Sequence, residues 1–71
     1  MSYATDFLNY LKAFNINNFT HRNILVQTTT NCPYSVLSDI RIMLKRENKK
    51  LRVEEEIKNK QRYKRYFIEV I

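Results

Sequence analysis

The sequence predicts an α+β domain, three helices followed by a C-terminal β-hairpin. Three observations predict it. Apolar residues recur at helical spacing over 4–14 and again over 36–44. From Leu51 onward they alternate with polar residues, the period of a strand buried on one side. Pro33 stands where the later helical run opens, a position at which its missing N–H costs nothing. With 71 residues there is room for one domain, 1–71, and no length for a second. A chain of this size buries only about 60% of its unfolded surface, so its core is small.

The first helix is read from Ala4, Phe7, Leu8, Leu11 and Phe14, an i, i+3, i+4, i+7 stripe. Ser2 or Thr5 caps it, Asp6 suits its positive end, and it runs from about Tyr3 to about Phe14. Ile16 and Phe19 follow as a short extended link, with a third strand near Phe19 as an option. Thr20 is the expected N-cap of a second helix, His21 to Gln27, with Ile24 and Leu25 pointing inward. The polar turn Thr28-Thr29-Thr30-Asn31 leads to the third helix, capped by Asn31 or Cys32 and ending near Asn48. Its inward stripe is Val36, Leu37, Ile40, Met43 and Leu44. At ~100° per residue the opposite face holds Ser35, Ser38, Ile42, Lys45 and Arg46, flanked by Tyr34 and Arg41.

The hairpin register follows from its charges and apolar residues together. A two-residue turn at Asn59-Lys60 sets Val53 against Tyr66 and Leu51 against Ile68, with the apolar sets on one side. It also sets Glu55 against Lys64 and Glu54 against Arg65. A slip by one residue spoils all four matches. Glycine is absent, so positions needing positive φ fall to asparagine, the next most tolerant residue. Of eight asparagines, Asn15, Asn17, Asn18, Asn31, Asn48 and Asn59 stand where the apolar pattern breaks.

Charge narrows the function classes. Thirteen Lys and Arg against seven Asp and Glu give a net +6. Between Arg41 and Arg65 there are 11 basic and 4 acidic residues, whereas residues 1–35 hold Lys12 and Arg22 against Asp6. Such asymmetry fits an electrostatic footprint for a polyanion. A single cysteine forms no internal disulfide, and no Cys/His spacing suits a metal, so no cofactor is expected. No stretch approaches the ~18 apolar residues of a membrane span. The opening residues lack a secretory layout, which points to a cytoplasmic setting. Ser35 and Ser38 lack a nucleophile context, and no small-molecule substrate or enzymatic activity is expected.

Helix, short link, helix, tight turn, helix and hairpin is an order that resembles the winged helix-turn-helix domain. The segments carrying the likeness are Thr20-His21-Arg22-Asn23-Ile24-Leu25, Pro33-Tyr34-Ser35-Val36-Leu37 and Arg62-Tyr63-Lys64-Arg65-Tyr66, together with the turns between them. The chain is similar to the small stand-alone winged-helix proteins of bacteria and their phages. It departs from them in lacking glycine at the helix turn and at the wing tip. The resemblance implies a binder of double-stranded DNA, a small transcription regulator or recombination accessory protein of a phage or mobile element. Its third helix would enter the major groove, and its wing would touch backbone or minor groove. By position, Arg22 joins the face, and Thr30, Asn31, Tyr34, Ser35, Ser38, Arg41 and Lys45 lie on or beside the presented helix. Lys58, Lys60, Arg62 and Lys64 lie on the wing. The chemistry agrees: Arg pairs with guanine, Asn with adenine, and short hydroxyls and backbone N–H groups at a helix start grip phosphate.

Other readings stand beside this one. A basic hairpin also protects a strand edge from aggregation. The same fold can serve as a protein-interaction module, such as an inhibitor of a host protein, with Ile42, Tyr10 and Tyr3 in an apolar patch. Structured RNA presents phosphate as well. His21 reads as a cap or a phosphate contact, and Cys32 as a small, partly buried residue. Phe7, Phe14, Phe19 and Tyr66 read as core, and Tyr3, Tyr10, Tyr34 and Tyr63 as surface. A homodimer is an option for so short a module, with the strand edge Phe67 to Ile71 and the first helix as its contact surfaces.

Overall fold

Ser2 is the N-cap of the first helix, its hydroxyl accepting the Thr5 amide at 3.1 Å. The computed structural model describes residues 2–71. Helix α1 (Tyr3–Ala13) ends in a Schellman arrangement. Asn15 takes φ 54°, its N–H reaching the Lys12 carbonyl at 3.2 Å and Ile16 N–H reaching Leu11 at 2.8 Å. Strand β1 (Asn18–Thr20) follows, then α2 (His21–Gln27), α3 (Pro33–Arg46), β2 (Lys49–Lys58) and β3 (Gln61–Val70). Asn48 (φ 59°) closes α3 as Asn15 closes α1. Asn59 and Lys60, at φ 54° and 61°, form the hairpin turn, the double positive φ of a type I′ turn. Three of the six punctuating asparagines thus hold positive φ, with Lys60 as a fourth such residue.

The link near Phe19 is a true third strand. It pairs antiparallel with β3, Phe19 opposite Tyr66, and the sheet order is β1-β3-β2. The hairpin register is the expected one, with Val53 opposite Tyr66, Leu51 opposite Ile68, Glu54 opposite Arg65 and Glu55 opposite Lys64. Because β1 joins on the far side of β3 along Arg65 to Phe67, with Ile68 N–H reaching Asn17, β3 is the central strand, and the segment Phe67 to Ile71 is not a continuous free edge; the long open edge is that of β2.

The core collects Phe7, Leu8 and Leu11 of α1, Phe19, Ile24, Val36, Leu37, Ile40 and Leu44, with Tyr66 from the sheet. Phe19 lies at its centre, edge-on to Phe7 at 5.1 Å and stacked with Tyr66 at 5.6 Å. Three expectations are corrected here. Phe14 is exposed, because it caps α1 where the chain reverses, and it rests on Tyr10 at 5.1 Å. Leu25 is also exposed, because the two-turn helix α2 buries Ile24 alone. Tyr10 instead packs against the core. On the sheet, Ile57 and Val70 share the inner face but extend past the helices and stay exposed.

The turn from α2 to α3 dispenses with glycine by using threonine hydroxyls. Thr28 Oγ1 donates to the Ile24 carbonyl at 2.7 Å and accepts the Thr30 amide at 3.3 Å. Thr30 Oγ1 in turn accepts the Cys32 amide at 3.0 Å. Two backbone amides of the turn, those of Thr30 and Cys32, thus meet neighbouring hydroxyls, as local side-chain bonds allow. Cys32 is the N-cap residue of α3, without a side-chain cap bond, and it is exposed, not partly buried.

Candidate nucleic-acid interface

The strand period sorts the hairpin into two faces. Val53 and Tyr66 point toward the helices, so Leu51, Glu55 and Ile57 of β2 and Arg62 and Lys64 of β3 share that inner face. Arg52, Glu54, Glu56 and Lys58 point outward with Tyr63, Arg65, Phe67 and Glu69. The two arginines of the outer face are paired within the chain. Arg52 stacks on Phe67 at 4.6 Å and pairs with Glu54 and, at 3.1 Å, with Glu69. Arg65 bonds Glu56 at 2.9 Å and Asn18 at 2.8 Å.

On the inner side, cations outnumber carboxylates: Glu55, opposite Lys64, is the one acidic residue of the hairpin's inner face. A cleft of about 240 Å³ opens between the starts of α2 and α3 and the wing, lined by His21, Arg22, Tyr34, Arg62, Tyr63 and Lys64. A second hollow of about 310 Å³ has Leu51 and Ile71 as its apolar floor and Arg41, Lys45, Lys49 and Lys50 around it. Among the described residues the cations in ion pairs are Lys12, Arg52 and Arg65. Arg22, Arg41, Lys45, Arg62 and Lys64 are in none.

His21 links the two hollows. Its Nε2 lies 3.0 Å from the Tyr66 hydroxyl, and its ring is 4.5 Å from that of Tyr34. Burial first, then the charges of Lys64 and Arg41, hold His21 below its usual pKa of 6.5. Burial also raises Tyr66 above its usual 10.0, so both partners of this hydrogen bond favour their uncharged forms. The Arg41 guanidinium sits over the Tyr66 ring at 5.8 Å. These groups form one chain from α3 through the sheet to α2, and the field at its centre is positive.

Of the twelve expected site residues all but Thr30 are exposed, and Lys58 lies on the other side of the hairpin from Arg62 and Lys64. Asn31, Tyr34, Ser35, Ser38, Arg41 and Lys45 are exposed on or beside α3, and Arg22, Lys60, Arg62 and Lys64 are exposed as well. Thr30 is buried, 9% exposed, and its hydroxyl is committed to the Cys32 amide, so it does not belong to the face. Lys58 points to the outer side of the hairpin and borders a different hollow, with Glu56 and Arg65. Lys49 and Lys50 belong to the basic set although sequence reasoning passed over them. Their direct adjacency to Leu51 was the available signal, because it places them at the foot of α3. No family model, curated protein or solved structure matches this chain.

Proposed function

We propose that the chain binds duplex DNA as a winged helix-turn-helix protein, with α3 in the major groove and the wing along the backbone. One observation carries the reading: Arg22, Arg41, Lys45, Arg62 and Lys64, from α2, α3 and β3, lie on one side of the sheet in no ion pair, while both arginines of the opposite side, Arg52 and Arg65, are spent on carboxylates. A surface built only for solubility would intersperse both signs. Phosphate binding requires cations that have no competing partner. Arg41, poised over Tyr66, is the residue for a guanine edge, and Asn31 for an adenine edge. In this reading the protein acts as a small regulator or recombination accessory factor.

The test compares two faces of one sheet. Fluorescence anisotropy with a labelled random duplex is measured for Arg62→Ala with Lys64→Ala, and for Arg52→Ala. The inner-face pair is expected to weaken binding at least tenfold, and the outer-face change less than twofold. Equal loss from both faces would contradict the proposed surface. Ile42, 54% exposed on the outward side of α3, supports a second reading as a protein-interaction module. A stoichiometric protein partner with no DNA binding would favour that one.

A further inference from the structure

Strand β2 forms the outer edge of the sheet along all ten of its residues. In a hairpin closed by the two-residue turn Asn59-Lys60, the flanking residues Lys58 and Gln61 exchange hydrogen bonds. Alternation then turns the backbone groups of Lys49, Leu51, Val53, Glu55 and Ile57 away from β3. An edge of this length is a template for another strand unless something blunts it. Charge alone does not blunt this one, because the charges are segregated along it. Lys49, Lys50 and Arg52 occupy the first half, and Glu54, Glu55 and Glu56 the second, with Lys58 at its end beside the turn. Val53, 43% exposed, lies between the halves.

We propose that β2 is a self-association edge, occupied by β2 of a second copy running antiparallel, with Val53 on the twofold axis. Charge complementarity selects both the occupant and the register. Antiparallel pairing sets the basic half of one copy against the acidic half of the other. With Val53 opposite the partner's Val53, Arg52 faces the partner's Glu54 and Lys50 faces the partner's Glu56. Lys49, unpaired within the chain, lies diagonal to the partner's Glu55, within reach of long side chains. The residues opposed across hydrogen-bonded positions, Val53 with the partner's Val53 and Leu51 with the partner's Glu55, are those whose backbone groups face outward. Moving the axis one residue either way opposes two Arg52 or two Glu54 side chains, so those registers set like charges together. The joined sheet keeps the cleft at His21 open, because that cleft lies on the β1 side of β3.

The inference does not depend on DNA and is tested without it, by sedimentation equilibrium of the full chain across a concentration series. The wild-type chain is expected to dimerise reversibly. Glu54→Lys with Glu56→Lys turns the four favourable contacts into like-charge pairs, and so does Lys50→Glu with Arg52→Glu. Each double variant alone is expected to dimerise at least ~100-fold more weakly, from roughly 1 kcal/mol per altered contact at ~1.4 kcal/mol per tenfold. Mixed one to one, the two variants restore all four contacts and are expected to form a heterodimer. Far-UV circular dichroism establishes that each variant is folded before mixing. Val53→Pro serves as a second probe, since it removes an outward N–H that the hairpin does not use and leaves a folded monomer. A wild-type chain that stays monomeric throughout overturns the proposal. So does a dimer that the charge reversals leave intact, or a pair of folded variants that do not associate on mixing.

Discussion

Replacing Lys60 by glycine is expected to make the domain more stable while making it a weaker ligand for DNA. Lys60 is held at φ 61° at the wing tip, in the left-handed region where an L-residue costs about 1–2 kcal/mol. Glycine occupies that region without a Cβ clash but loses more backbone freedom on folding, about 0.5–1 kcal/mol. The balance favours Lys60→Gly by about 0.5–1 kcal/mol, a rise in Tm of about 2–8 °C for a chain of this size. Lys60→Ala is the matched control, since it removes the same charge and retains the Cβ. Urea and thermal unfolding followed by circular dichroism measure stability, and random-duplex anisotropy measures binding. The two variants are expected to lose the same small factor in DNA affinity and to differ in stability. Equal stability of Lys60→Gly and Lys60→Ala would refute the strain at the tip.

Three further outcomes follow from the interface and the core. His21 binds its proton less readily folded than unfolded, so its contribution to stability is complete above pH 6.5 and is lost as pH falls below that value. A nearby phosphate favours the charged ring, so DNA affinity rises over the same acid range; a His21→Gln variant that kept both trends would refute this assignment. Arg41→Ala is expected to cost about 1–3 kcal/mol on a preferred DNA site and much less on random duplex, while unfolding shifts by no more than about 1 kcal/mol for the lost Tyr66 contact; equal losses on both duplexes would contradict base readout. Phe19→Ala empties the space between Phe7 and Tyr66, and about 3–5 kcal/mol is comparable with the whole stability of so small a domain; a cooperative melt within a few degrees of the wild type would contradict that role.

What was legible in the sequence was local and periodic. The stripe of α1, the Thr20 cap and the four cross-strand matches that fix the hairpin all lie within a few residues or one turn. Asparagine in place of glycine was equally readable, because few other side chains tolerate positive φ. What was not legible depended on distant packing. Phe14 continues the stripe of α1 in sequence, yet the helix ends one residue before it and the chain turns away. Leu25 follows Ile24, but a helix of two turns has room in the core for only one of them. That β1 would pair with β3 instead of β2 is a long-range choice, and it decides which strand edge is free. The site divides the same way. Basic residues were identifiable by type, but the separation of Lys58 from Lys64 needed the pleat. The meeting of His21, Tyr34, Arg41 and Tyr66 needed the tertiary structure.

The salt dependence of duplex binding tests the central claim most directly. Each phosphate neutralised contributes about 0.9 to the slope of log K against log salt. If four or five of the unpaired inner-face cations reach phosphates, the wild-type slope lies between about −3.5 and −4.5 over 50–300 mM salt. The account predicts that slope for the wild type, a slope shallower by roughly 2 for Arg62→Ala with Lys64→Ala, and an unchanged slope for Arg52→Ala. A wild-type slope near zero, or one that Arg52→Ala alters as much as the inner-face pair does, would contradict the account.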